Sequence, residues 1–536
     1  MRLLLALVCV LLLLPLVALV SRWAALDAEG LALWQHLAST VLPGYLGQSL
    51  LLSAAVALGV ALVGGSTAAV VTLFEFPGRR WLSWALLLPM AMPAYVLAYA
   101  WTDTLQYSGP LQTALRAAFG WKGALWPDIR SLGGAVPLFV LCLYPYAYLL
   151  VRAALAERCV PLMEAARLLG AGWWRRVTQV ALPMARPALA AGVALALMET
   201  LADYGVGAYF GLSTFTTGIF RAWLSMGDRD AAAQLATVLL ALVALLVWME
   251  QRAQARLRFA AARQGALHGG DARPLALGWR GSAVAWAVCL VPVLLGFVLP
   301  VLALLRLATT EGDADAPGPD LSRFAGWALN SFVLAAAAAC LAVGLAMALA
   351  AARRRQPGGA LDALARGVGL GYAVPGAVIV IGLLWPLGAW QARWPEWPLA
   401  GWLTAGIGGL LYAYLVRFSA VAMQSVDAGY ARLPASFDES ARLLGHGPWA
   451  TWRRVHWPLL RGAAGTAGLL VFVDVMKELP ATLVLRPFNH DTLAVVANQL
   501  ARDERLGEAA WPSLAIVAVG LLPVLLLGRG RGATGC

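Results

Sequence analysis

Lysine is almost absent from this 536-residue chain. Only Lys122 and Lys477 occur, and neither lies in a G-x-x-x-x-G-K-[S/T] phosphate loop. The usual grip on ATP is missing, so any ATP hydrolysis is expected in another subunit. Charge of either sign is scarce: 13% of residues are charged, against roughly 25% in soluble domains. The chain is 61% hydrophobic, with a mean hydropathy of +0.73. These values exclude a soluble globular domain and indicate an integral membrane protein. Histidine is limited to His36, His268, His446, His456 and His490, scattered without metal-ligand spacing. The six cysteines show no such spacing either. Cys9, Cys142, Cys289 and Cys340 fall in apolar runs, where buried, inert thiols are expected. Neither a disulfide framework nor a metal centre is indicated. No nucleophile–base constellation occurs, so a membrane-embedded enzyme has no support. Arginine is the one excess, and the net charge is +12. It does not point to nucleic acid, because the arginines cluster between apolar runs, as the positive-inside rule expects.

A spanning helix needs about 20 apolar residues. The first such run is Leu3 to Val20; a signal peptide is the rival reading, although its apolar region usually runs roughly 7–15 residues. Further runs cover about 48–74, 82–101, 134–154, 188–210 and 231–249. A polar stretch containing Gly269, Gly270 and Asp271 follows. A second set covers about 281–306, 327–351, 367–390, 402–424, 462–482 and 511–528. The expected fold is an all-α integral membrane protein of about 12 transmembrane helices in two six-helix parallel repeats. The expected domains are residues 1–255 and 281–536, joined by a cytoplasmic linker, 256–280. Arg79, Arg80, Arg353, Arg354, Arg355 and Arg529 fall on one side of these spans. Glu311, Asp313, Asp315, Asp320, Asp503 and Glu504 fall on the other. That asymmetry places both termini in the cytoplasm. Six spans per half is an even number, so the halves share one orientation.

One stretch occurs twice between spans. The first copy has Glu164, Ala165, Ala166, Gly170 and Pro183; the second has Glu439, Ser440, Ala441, Gly445 and Pro458. Glu, Gly, Pro and the following Arg186 and Arg461 all recur 275 residues apart. Alanine favours helix and permits close approach. A glutamate near a helix start favours its positive end. Glycine ends the helix, and proline suits the first turn of the next span. The spacing E-A-A-x3-G-x9-I-x-L-P resembles the cytoplasmic EAA loop of ABC importer permeases. The resemblance implies a short coupling helix in each copy that docks into a groove on an ATPase subunit. Ser440 and Trp457 depart mildly from the family pattern. The docking role would then fall to Glu164, Ala165, Ala166, Gly170 and Pro183, and to Glu439, Ser440, Ala441, Gly445 and Pro458.

Ionisable residues also recur after each loop. Asp474, Lys477 and Glu478 lie within a spanning run, and Glu199 and Asp203 lie in the corresponding run of the first half. Intramembrane charges usually face a bundle interior or a water-filled path. These five residues are candidates for a translocation path or gate. A neutralised structural cluster at the helix break before Pro480 is the competing reading. Asp474 and Lys477, three apart, can pair on one helix face.

Residues 474–494, from Asp474 to Ala494, together with the single-chain fusion, look like the fused permeases of bacterial ferric iron importers. Fused permeases for thiamine and phosphonates share the architecture, so those substrates stand as alternatives. The resemblance implies a permease subunit in the bacterial inner membrane. It implies two copies of an ABC ATPase that bind ATP and Mg, and a periplasmic substrate-binding protein. No cofactor is expected in this chain. An ion-coupled secondary transporter also suits parallel repeats and intramembrane charge; the duplicated EAA loop speaks against it.

Overall fold

The computed structural model describes residues 2–529, except 26, 157–159, 264–273, 311–320, 356–357, 398–400, 402 and 405. The glycine-containing part of the expected linker and the acidic residues Glu311, Asp313, Asp315 and Asp320 lie outside the described residues. The fold is helical throughout. Its one sheet among the described residues is a two-residue parallel pair, Phe74–Glu75 with Leu275–Ala276. Among the described residues, eleven helices are long and apolar enough to cross a membrane, and one bent pair brings the number to twelve. This matches the twelve expected runs.

Four differences from the sequence reading have physical causes. The 82–101 run is not one helix. Arg79–Ala91 and Ala94–Phe119 meet at 91°. Pro93 forces the break, because its ring holds Met92 in extended backbone (ψ 112°). The second half repeats the device with Val374 (ψ 122°) before Pro375, so the 367–390 run begins as a spanning helix only at Gly376–Arg393. The 462–482 run ends as a helix at Met476, before the break at Pro480. Finally, the sixth span does not stop at the polar boundary: the helix runs on from Arg229 to Arg263. Alanine, glutamine and arginine are good helix formers, so polarity marked the membrane edge and not the helix end. Cys9, Cys142 and Cys289 are buried as expected, whereas Cys340 is exposed.

Two compact units form, and each draws on both halves of the chain. One comprises Met1–Leu37, Ile219–Leu240 and Gly318–Val496. Its core is three mutually packed helices, Leu321–Arg355, Ile407–Tyr430 and Trp457–Met476. The first span, Arg2–Ser21, packs in this unit against Ala360–Val368 and Gly376–Arg393. The approach there is backbone to backbone: a Cβ on Gly382 would lie 2.3 Å from the Pro15 carbonyl oxygen. Small residues allow such contact where lipid offers no hydrophobic gain.

The other unit comprises Ala38–Gly218, Ala241–Pro317 and Ala497–Cys536. Its core repeats the arrangement with Leu42–Leu73, Leu132–Ala154 and Leu182–Ala202. Leu299–Thr310 packs there against Ala94–Leu105 and Leu506–Arg529. A polar group buried in this core gains from an internal partner, because the membrane interior supplies no water. Tyr144 donates to the Leu86 carbonyl at 2.9 Å.

Candidate functional site

The two copies of the repeated stretch fold alike. Val160–Leu168 and Ser436–Leu443 are short helices. Each ends in the same capping motif. Gly170 has φ +79° and Gly445 φ +76°. Ala171 N–H donates to the Ala166 carbonyl at 2.9 Å, and His446 N–H to the Ala441 carbonyl at 3.0 Å. These are six-to-one bonds around a left-handed residue, the Schellman arrangement. A Cβ at either glycine would meet nothing within 4 Å, so the demand for glycine is purely conformational. Gly445→Val is therefore expected to weaken the helix end by roughly 1–2 kcal/mol. Amide exchange over 436–446 should rise without global destabilisation; an unchanged rate would refute the capping role.

Pro183 and Pro458 sit in the first turn of the following spans, Leu182–Ala202 and Trp457–Met476. Each is preceded by a wide turn, in which Leu182 N–H bonds to Val177 and Trp457 N–H to Trp452, five residues back. Such π-turns cluster at functional segments. Glu439 lies in the first helical turn, as expected, whereas Glu164 lies beyond it. Glu164, Ala165, Glu439, Ser440, Pro183 and Pro458 are exposed, Ala166 is half-buried and Ala441 is buried.

Sequence reasoning missed the largest feature of these helices. Leu168 and Leu169 are 85% and 88% exposed, and Leu443 and Leu444 are 89% and 75% exposed. Two adjacent uncovered leucines at the same place in both halves form a projecting apolar knob. Exposed apolar patches of this kind mark interaction sites. Within an apolar sequence, four more leucines carried no signal.

Two of the five candidate charges, Glu478 and Asp203, cap helix breaks. Glu478, with its side chain 1% exposed, accepts from Ala481 N–H at 2.9 Å, Thr482 N–H at 3.0 Å and Thr482 Oγ1 at 2.5 Å. It therefore satisfies the free start of the Pro480–Leu485 helix. Arg417 Nη1 lies 3.4 Å away, and Tyr414 hydroxyl bonds Thr482 Oγ1 at 2.7 Å. In the first half Asp203, 275 residues earlier, does the same for Gly205–Tyr209 by accepting from Val206 N–H at 2.8 Å. Thr216 Oγ1 donates to the Asp203 carbonyl at 2.6 Å. Glu199 is half-buried on the Leu182–Ala202 helix.

Lys477 and Asp474 form the expected pair, at 2.9 Å. Their side chains are 28% and 15% exposed. Single neutral substitutions should each destabilise by about 1–2 kcal/mol, and the double variant by less than the sum. Additive losses in a thermal-stability cycle would show separate roles.

Residues 61–258 and 341–530 both match the family described as binding-protein-dependent transport system inner membrane component. The chain is 25% identical over 493 residues to the Fe(3+)-transport system permease protein FbpB 2 of Haemophilus influenzae, covering 90% of this chain and 89% of that protein. It is 28% identical over 197 residues to the molybdenum transport system permease protein ModB of Escherichia coli, covering 34% of this chain and 81% of that one. It is 27% identical over 259 residues to the sulfate transport system permease protein CysT of Escherichia coli, covering 46% and 89%. These relatives are transport permeases, and two family domains follow one another in a single polypeptide. The chain therefore belongs to the binding-protein-dependent inner-membrane permeases of ABC transporters, as a fused pair of permease domains.

Proposed function

We propose that this protein is the membrane subunit of an ATP-driven importer for ferric iron. The observation that carries the importer reading is the duplicated loop helix. Each copy ends in the same glycine cap and presents the same exposed leucine pair. A short rigid helix with an apolar tip suits a groove on an ATPase subunit. Two such helices suit two ATPase copies, which bind the ATP and Mg. ATP binding and hydrolysis would move the loop helices, and the two permease domains would rock in alternating access. In this reading both loop helices and both termini face the cytoplasm. A binding protein delivers substrate at the opposite face. Asp203 and Glu478, at matching breaks, would set where the path opens.

Ferric iron is supported by one fact above the others. The iron-system relative shares both halves along 90% of this chain, whereas the molybdenum and sulfate relatives cover 34% and 46%. The test is uptake of radiolabelled ferric iron in cells with and without the gene, beside labelled thiamine, a phosphonate, molybdate and sulfate. Loss of iron uptake alone supports the proposal. Intact iron uptake with loss of one of the other labels moves the substrate and leaves the importer in place.

A further inference from the structure

Three arginines close the Leu321–Arg355 helix, and all three bind neighbouring segments. Arg353 pairs with Asp362 at 2.5 Å and Asp427 at 3.0 Å. Arg355 donates to the Pro448 carbonyl at 3.1 Å. Arg354 makes the most bonds. Its Nε donates to Asp438 Oδ2 at 2.6 Å. Its terminal nitrogens donate to the carbonyls of Tyr430, Leu433 and Pro434 at 3.3, 3.0 and 2.9 Å. Those carbonyls lie at the end of the Ile407–Tyr430 helix and just beyond it.

Asp438 belongs to the second loop helix, one residue before Glu439. Its other oxygen lies 2.8 Å from His456 Nε2. His456 Nδ1 lies 3.3 Å from the Tyr430 hydroxyl. Burial pushes the Asp438 carboxyl up, but the hydrogen bonds from Arg354 and His456 outweigh it and leave its pKa below the ordinary value. One carboxylate thus joins the loop helix to three others: Leu321–Arg355 through Arg354, Ile407–Tyr430 through Tyr430 and Arg354, and the start of the Trp457–Met476 span through His456.

The first half lacks the carboxylate and the imidazole at the matching places. Met163 stands where the second half has Asp438, and Ala181 where it has His456. Both are buried in an apolar cluster with Leu82, Leu86, Val151 and Leu155. The same backbone element is bedded in two different chemistries.

We propose that Arg354, Asp438 and His456 are positioning residues that clamp the second loop helix in one orientation. The first loop helix is seated by apolar contact through Met163. Charge-assisted hydrogen bonds are short and directional, whereas apolar contact is non-directional. The second helix therefore moves as one body with its three neighbours, while the first can shift on its bed. The ATPase copy beneath the second helix then drives the cycle more tightly than its twin. This inference rests on the docking role proposed for the loop helices.

The test is hydrogen–deuterium exchange of the purified full-length permease in lipid nanodiscs, with no ATPase present. Asp438→Asn is expected to speed exchange over 436–444 by about tenfold or more, with 160–168 unchanged. Met163→Asn should do the reverse. Arg354→Lys keeps the charge but not the planar fork and should give an intermediate rise over 436–444. Unchanged exchange over 436–444 in Asp438→Asn overturns the clamp. So does an equal rise in both loop helices, which would mean general loosening. With ATPase added, Asp438→Asn should retain binding and lose about fivefold or more in substrate moved per ATP. If the exchange pattern holds but the ATPase does not contact 436–444, the docking reading fails and the clamp stands.

Discussion

Replacing Leu443 and Leu444 together by aspartate is expected to abolish productive binding of an ATPase subunit. Both side chains are almost wholly exposed, so folding should be untouched. The free chain gains nothing from leaving two leucines uncovered, and the gain must come on docking. Hot-spot side chains contribute about 2 kcal/mol or more each when buried by a partner. Losing two and adding charge should lower affinity by roughly a thousandfold. Leu168 and Leu169 occupy the equivalent tip in the first half, and their double aspartate variant should behave similarly. A titration of the purified permease with its ATPase partner gives the affinity directly, and transport in vesicles gives the consequence. Unchanged affinity in both double variants would end the coupling-helix assignment.

Glu478→Ala is expected to be the most damaging single change to the fold. It removes the acceptor for two backbone amides and for the Thr482 hydroxyl. It also takes the carboxylate from beside the buried Arg417. Removing one member of a buried ion pair costs about 3–5 kcal/mol, a large share of a typical stability of about 5–15 kcal/mol. The variant should fail to accumulate as a monodisperse protein in detergent. Asp203→Ala, by contrast, removes one acceptor from a half-buried cap, and a lost cap costs about 1 kcal/mol. Should Glu478→Ala fold with near-normal thermal stability yet lose transport, the carboxylate would belong to the path and not to the architecture.

The spanning helices were legible in the sequence because hydrophobicity and length state the membrane constraint directly. The loop helices were legible because the Gly and Pro spacing encodes a left-handed cap and a restart in both copies, while glutamate marks the start only in the second. The breaks at Pro93 and Pro375 were not, since a hydropathy run averages over the proline that splits it. The extension of the sixth span to Arg263 was hidden by the opposite error, polarity being taken for the end of helix. The exposed leucines could not be told from their buried neighbours by composition. The clamp was invisible for a different reason. Arg354 and Asp438 are 84 residues apart, and His456 looked like one more scattered histidine. In sequence, Arg353 to Arg355 satisfied the positive-inside rule completely, so nothing prompted a second explanation.

The placement of the first span has a consequence for biosynthesis. Arg2–Ser21 emerges from the ribosome long before its packing partner Gly376–Arg393 is made. About 370 residues separate them, which at about 5–20 residues per second is a wait of roughly 20–75 s. During that interval the first helix stands in lipid with Cys9 and the Pro15 carbonyl uncovered by their native neighbours. Insertion machinery or surrounding lipid has to shelter it, and a chain stopped upstream of residue 360 would lack both Ala360–Val368 and Gly376–Arg393, against which the first helix packs.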